Sequence, residues 1–243
     1  MEEALDAQQG QAVSKEQVKE FFTGVYTYMF MALVVSGFVS WYFASSGLFA
    51  EWFINVNQAT GATSISPLFY VVAFAPLGMV FLIQAKYKSF SIGSLIAFFI
   101  LFSALIGASL SSIFMVYSMG DIAVTFFVTA GAFASMAILG YTTSVDLSKM
   151  GSLLYMAFIG IFIAAMVNMF VGSTWLGYLI SIVGVFVFTG LTAWEMQKLK
   201  AIALDPTLSG ETKQKLGLMG GLTLYILFIN LFISLLHLIG GRN

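Results

Sequence analysis

Apolar residues in this chain come in long runs rather than at the intervals of an amphipathic helix or strand. Seven runs stand out: Phe21 to Ala44, Pro67 to Ala85, Ile92 to Tyr117, Ile122 to Tyr141, Ser152 to Val171, Trp175 to Thr192 and Leu216 to Ile239. Each suits a transmembrane helix, which needs about 20 residues at a rise of about 1.5 Å. Polar and helix-breaking residues collect between them, as in 45–66 with Asn55, Asn57 and Gly61, and in 195–215 with Pro206 and Gly210. The pattern predicts an all-α integral membrane protein of seven transmembrane helices. A membrane β-barrel would need alternating segments of about ten residues, and none is present.

The basic residues test that count. With seven crossings, Lys15, Lys19, Lys86, Lys88, Lys149, Lys198, Lys200, Lys213 and Lys215 fall on one side and only Arg242 on the other. The positive-inside rule then puts the N-terminus in the cytoplasm and the C-terminus outside. Loop 45–66 becomes external, with Trp41, Tyr42 and Trp52 as interfacial anchors. Residues 1–20 hold five of the eleven acids and are expected to be a polar cytoplasmic tail ahead of a single membrane domain, 21–243. Ser14 and Gln17 have capping-box spacing for a helix start leading into the first span.

Composition sharpens the class. Of 243 residues 60% are hydrophobic and 9% charged, with a mean hydropathy of +0.96, against about 25% charged in soluble domains. The lipid bilayer is therefore the first expected partner. The net charge of -1 argues against nucleic acid, whose binders carry a basic face. Absent cysteines exclude disulfides and thiolate sites. The single histidine, His237, excludes a His-Glu-x-x-His zinc site, and no lysine lies inside the last span to form a retinal Schiff base. No enzyme activity and no cofactor are expected. Small residues four apart, such as Gly160 and Ala164, fit close packing within a monomer.

Two features carry candidate chemistry. Glu195, in TGLTAWEMQKLK, directly follows the sixth run, and an acid at that depth is a functional-site candidate by default. The structural alternative is an interfacial glutamate paired with Lys198 or Lys200, worth about 0.3–0.5 kcal/mol. The last span carries Tyr225 and Asn230 in its middle. Their polar groups need partners, expected on neighbouring helices, so this span should be the most buried. Asp146 reads as a cap for the fifth span. Asp121 and Glu51 stand alone in sequence, short of the six to eight oxygens that calcium takes.

The runs GASLSSIF (107–114), VTAGAF (128–133), DLSKMGSLL (146–154), TAWEMQKLK (192–200) and LTLYILFINLFISLL (222–236), in that order, resemble the Bax inhibitor-1/YccA family, the transmembrane Bax inhibitor motif proteins. The resemblance implies six helices around a central last helix and a calcium leak whose gating depends on pH. It also implies a latch between one acid in the sixth helix and one in the seventh. Glu195 stands at the first position, one methylene longer, and Leu227 at the second, so the pair is incomplete. A lone carboxylate titrates according to its own desolvation instead of sharing a proton. Tyr225, Asn230, Gln84 and Lys86 are the candidate latch neighbours, the last two for the basic partner in the second helix. The resemblance to bacterial members implies an inner-membrane location. It also leaves open a non-conducting regulator of a membrane-bound protease.

Overall fold

A computed structural model of the chain describes residues 2–57 and 61–241, with side chains from Lys15 onward. Arg242 and the side chain of Ser14 lie outside the described residues. Seven helices are long and apolar enough to cross a membrane: Lys15–Ser45, Pro67–Lys86, Ile92–Met115, Met119–Thr142, Ser148–Val171, Thr174–Leu204 and Gly210–Ile239. The first is the apolar part of α1 (Glu2–Ser45), which is already helical at Glu2, so no helix starts at Ser14. The others are α3 (Pro67–Lys86), α4 (Ile92–Leu110) with its short 3-10 extension, α5 (Met119–Thr142), α6 (Ser148–Val171), α7 (Thr174–Leu204) and α8 (Gly210–Ile239). Helices are what hydrocarbon permits, because each backbone N–H finds its carbonyl within the same segment.

The chain divides into two compact units. One, residues 27–118, contains the later part of α1, α3 and α4. Between α1 and α3 it adds α2 (Leu48–Phe53) and a small antiparallel hairpin, β1 (Ile54–Val56) with β2 (Thr63–Ile65). The sequence pattern gave no sign of these short elements. Phe43, Phe49, Phe53 and Phe69 stack around them. Ser66 then starts α3, its hydroxyl accepting from the Leu68 amide and donating to the Trp52 carbonyl. Gly107 of α4 lies against the backbone of Ser36 in α1, where no side chain would fit.

The other unit holds the start of α1 and α5 to α8. Here α7 packs on α5, α6 and α8, and α8 also meets α5. In the most apolar stretch of α8, 56% of residues are buried, against 39% in α7 and 0% in α6, so the last helix is the most buried of the seven. Glycines make this possible. Gly220 of α8 receives the Leu199 side chain and Gly184 of α7 receives Ser234, which brings the two backbones together where lipid provides no hydrophobic drive. Helix α7 runs on to Leu204, well past Thr192 where its apolar run ends, and Glu195 therefore lies inside a helix.

Candidate functional site

Ser173 caps the start of α7 by accepting from the Leu176 amide, and the C-terminal third of that helix presents a different partner at almost every position. The Ala193 backbone lies against Gly140 of α5, and the Trp194 indole covers Gly151 of α6. Met196 accepts a hydrogen bond from the Tyr26 hydroxyl at 3.6 Å. Gln197 accepts from the Leu147 amide at 2.9 Å and donates to the Val145 carbonyl at 2.7 Å, clamping the 143–147 connection. Lys200 donates to the Tyr141 carbonyl at 2.8 Å and lies over that ring. Glu195 sits in the middle of this knot.

Glu195 is 3% exposed. Lys198 Nζ donates to both its oxygens, at 3.3 and 3.2 Å, one turn along the same helix. The same ammonium approaches the Trp194 ring at 5.6 Å, and the Lys198 side chain is 50% exposed. The predicted pairing thus forms with Lys198, while Lys200 turns away to Tyr141. Unlike a surface pair, this one has its anion buried and its cation half in the open. A carboxylate there needs its partner, because an uncompensated charge in a buried site is costly.

Helix α8 runs antiparallel to α7, with Leu199 facing Gly220, Gly184 facing Ser234, and Ser181 within 3.4 Å of His237. Carried along both helices, that register sets Glu195 level with Thr223 and Leu224, and Leu227 level with Leu191 and Thr192. Leu227 is buried and lies about one helical turn, roughly 5 Å, deeper than Glu195. Side chains on a helix lean toward its N-terminus. On these antiparallel helices the two positions therefore lean toward each other.

The remaining candidates fall in different places. Tyr225 is fully buried in α8. Asn230 does not reach another helix as expected; its amide donates to the Ile226 carbonyl of its own helix at 2.8 Å. A backbone carbonyl one turn back gives the amide donor a partner without a second helix. Gln84 and Lys86 belong to the unit formed by residues 27–118, exposed at the end of α3. Asp146 stands one residue before Leu147, the N-cap of α6, which has no side-chain cap, and accepts from the Ser148 amide at 2.9 Å. Among the described residues no three His, Asp or Glu side chains come together. The sequence reading missed Gln197 and Tyr26, and it offered Lys200 to Glu195 where the structure gives it to Tyr141. A glutamine and a lysine just beyond an apolar run look like solvated ends, and no sequence signal marks their partners.

Seven apolar helices, the last of them the most buried, and a lone acid buried in the sixth define a polytopic helical membrane protein. The chain belongs to the Bax inhibitor-1 family: the family model described as "Inhibitor of apoptosis-promoting Bax1" matches residues 18–243. Among its relatives is the Inner membrane protein YbhL of Escherichia coli, 40% identical over 228 residues that cover 93% of each chain. A protein of Borreliella burgdorferi is 44% identical over 182 residues, 74% of this chain and 78% of the relative. Uncharacterized protein RP147 of Rickettsia prowazekii is 34% identical over 228 residues, covering 94% and 92%.

Proposed function

We propose that the protein is a calcium leak whose conductance is set by one intramembrane acid, Glu195. The observation that carries this is the buried carboxylate tied to a half-exposed cation. Protonation of Glu195 would discharge the pair and free Lys198 to turn fully into water. That gives the end of α7 two electrostatic states biased by pH, the local charge change a proton-dependent switch needs. Calcium as the ion rests on the family resemblance. The lysine distribution supports a cytoplasmic N-terminus, and the name of the E. coli relative supports the inner membrane. The test is calcium flux against pH in liposomes containing only this chain. Wild type should leak with a single-site pH dependence, and Glu195→Gln should flatten it; an unchanged profile in that variant would place the sensor elsewhere.

Leu227 favours a second reading. Where the resemblance expects an acid, an apolar side chain is buried in α8, which fits a protein that has lost conduction and regulates a membrane-bound protease. Silent liposomes at every pH, together with co-purification of a protease that depends on residues 1–20, would support it.

A further inference from the structure

A cavity of about 540 Å3 opens in the unit that contains α5 to α8, between the start of α1 and the C-terminal ends of α5 and α7. That volume falls within the roughly 300–1,000 Å3 of small-molecule sites. Its lining divides by chemistry. Lys15, Lys19 and Lys200 contribute three ammonium groups, and among the described residues no acid lines it. Lys15 and Lys19 are one turn apart on α1, and among the described residues neither forms an ion pair. Glu16 and Glu20 follow them on the same helix but do not line the cavity.

Lys200 is held in place. Its ammonium donates to the Tyr141 carbonyl at 2.8 Å and lies 4.9 Å from the centre of that ring, which leaves two of its three N–H donors free of that bond. On the hydrocarbon side of Lys19 and Lys200 the walls are mainly apolar, with the buried side chains of Phe22, Ala137 and Met196 and the exposed Ile138.

Depth matters as much as composition. Lys15 and Lys19 immediately precede the first apolar run, Lys200 follows the sixth, and Tyr141 closes the fourth. The charged end of the cavity therefore lies at the boundary where lipid headgroups sit, and the apolar part points toward hydrocarbon. Basic pockets between transmembrane helices at that level suit anionic headgroups.

We infer that this cavity is a binding site for an anionic glycerophospholipid. The phosphate would rest among Lys15, Lys19 and Lys200, and the start of an acyl chain would lie along Phe22, Ala137 and Ile138. A neutral lipid carries no net charge to match three ammonium groups. A free phosphate would leave the apolar wall uncovered.

Native mass spectrometry of the full chain in detergent tests this, with phosphatidylglycerol, phosphatidylcholine or inorganic phosphate added at matched concentration. One phosphatidylglycerol should be retained in preference to phosphatidylcholine, and inorganic phosphate should not displace it. The double substitution Lys15→Gln with Lys19→Gln should weaken that lipid about thirtyfold, from the contribution of two lysines near a membrane surface. The charge-matched pair Lys88→Gln with Lys149→Gln should leave it bound. Ile138→Trp keeps every lysine and sits at an exposed position, so it fills the cavity without burdening the fold, and it should also expel the lipid. Equal losses in both lysine pairs would reduce the effect to diffuse charge, and retention in Ile138→Trp would remove the cavity from it. Displacement by phosphate alone would make it an anion site. Any of the three overturns the proposal.

Discussion

Gly140 of α5 and Ala193 of α7 meet backbone to backbone, so closely that a methyl group on Gly140 would run into the Ala193 carbonyl. Two residues along α7 is Glu195, so this contact fixes the height at which the buried acid stands against α5. Gly140→Ala should therefore destabilise the protein by about 1–3 kcal/mol, the usual cost of overpacking. Gly131 on the same helix has open space around it, and Gly131→Ala should be neutral or stabilising by up to about 1 kcal/mol. Denaturation of the two variants in the same detergent decides the matter; equal stability would mean the α5 and α7 contact yields freely.

Removing one member of the Glu195 and Lys198 pair should do more harm than removing both. Lys198→Met leaves a buried carboxylate without its cation and should lower stability, by less than the roughly 3–5 kcal/mol of a fully buried pair because Lys198 is half exposed. Glu195→Gln with Lys198→Met should recover much of that loss. Thermal melting of the four proteins in a double-mutant cycle measures the coupling, and additive losses would show that the pair does not hold this end of α7.

Gln197 acts as a clamp, with one bond to Leu147 and one to Val145. At about 0.5–1.5 kcal/mol per hydrogen bond, Gln197→Ala should cost about 1–3 kcal/mol. The Leu147 amide should also lose protection in hydrogen exchange. Retained protection at that amide would contradict the clamp.

Two aqueous carboxylates give a pH dependence whose sign follows from their hydrogen bonds. Asp205 accepts from the Thr207 hydroxyl and amide, and Asp146 from the Ser148 hydroxyl and amide. These bonds hold both carboxyls below the ordinary carboxylate value. A group with a lowered folded pKa stabilises the fold above its unfolded value, near 3.9 for aspartate, and loses that contribution as pH falls through the folded value. Asp205→Ala should thus lower stability at neutral pH and have little effect in strong acid. A penalty that persists in acid would assign the effect to something other than the ionised carboxylate.

The register between α7 and α8 predicts what restoring the second acid would do. Leu227→Asp puts a carboxylate one turn deeper than Glu195 on a facing helix, close enough for the two to titrate as a coupled pair. Calcium flux in liposomes should then respond to pH more steeply than in wild type, and an unchanged slope would mean the two acids do not meet.

The seven spans were legible from sequence because a bilayer is an unforgiving solvent. A crossing segment must be apolar for about 20 residues and must satisfy its own backbone, so Phe21 to Ala44 or Ser152 to Val171 admits little else. Glu195 stood out for the same reason, as a charge joined to an apolar run. Tertiary structure alone decided which faces meet. Lipid tails are as apolar as leucine, so hydropathy does not say that Gly140 packs on Ala193, that Gln197 reaches back to Leu147, or that Lys200 turns to Tyr141 and leaves Glu195 to Lys198. Nor does it say that Asn230 bonds its own helix, or that Lys15 and Lys19 border one cavity with the distant Lys200. Those outcomes depend on close fit and on hydrogen-bond geometry between helices, and neither leaves a periodic mark in the sequence.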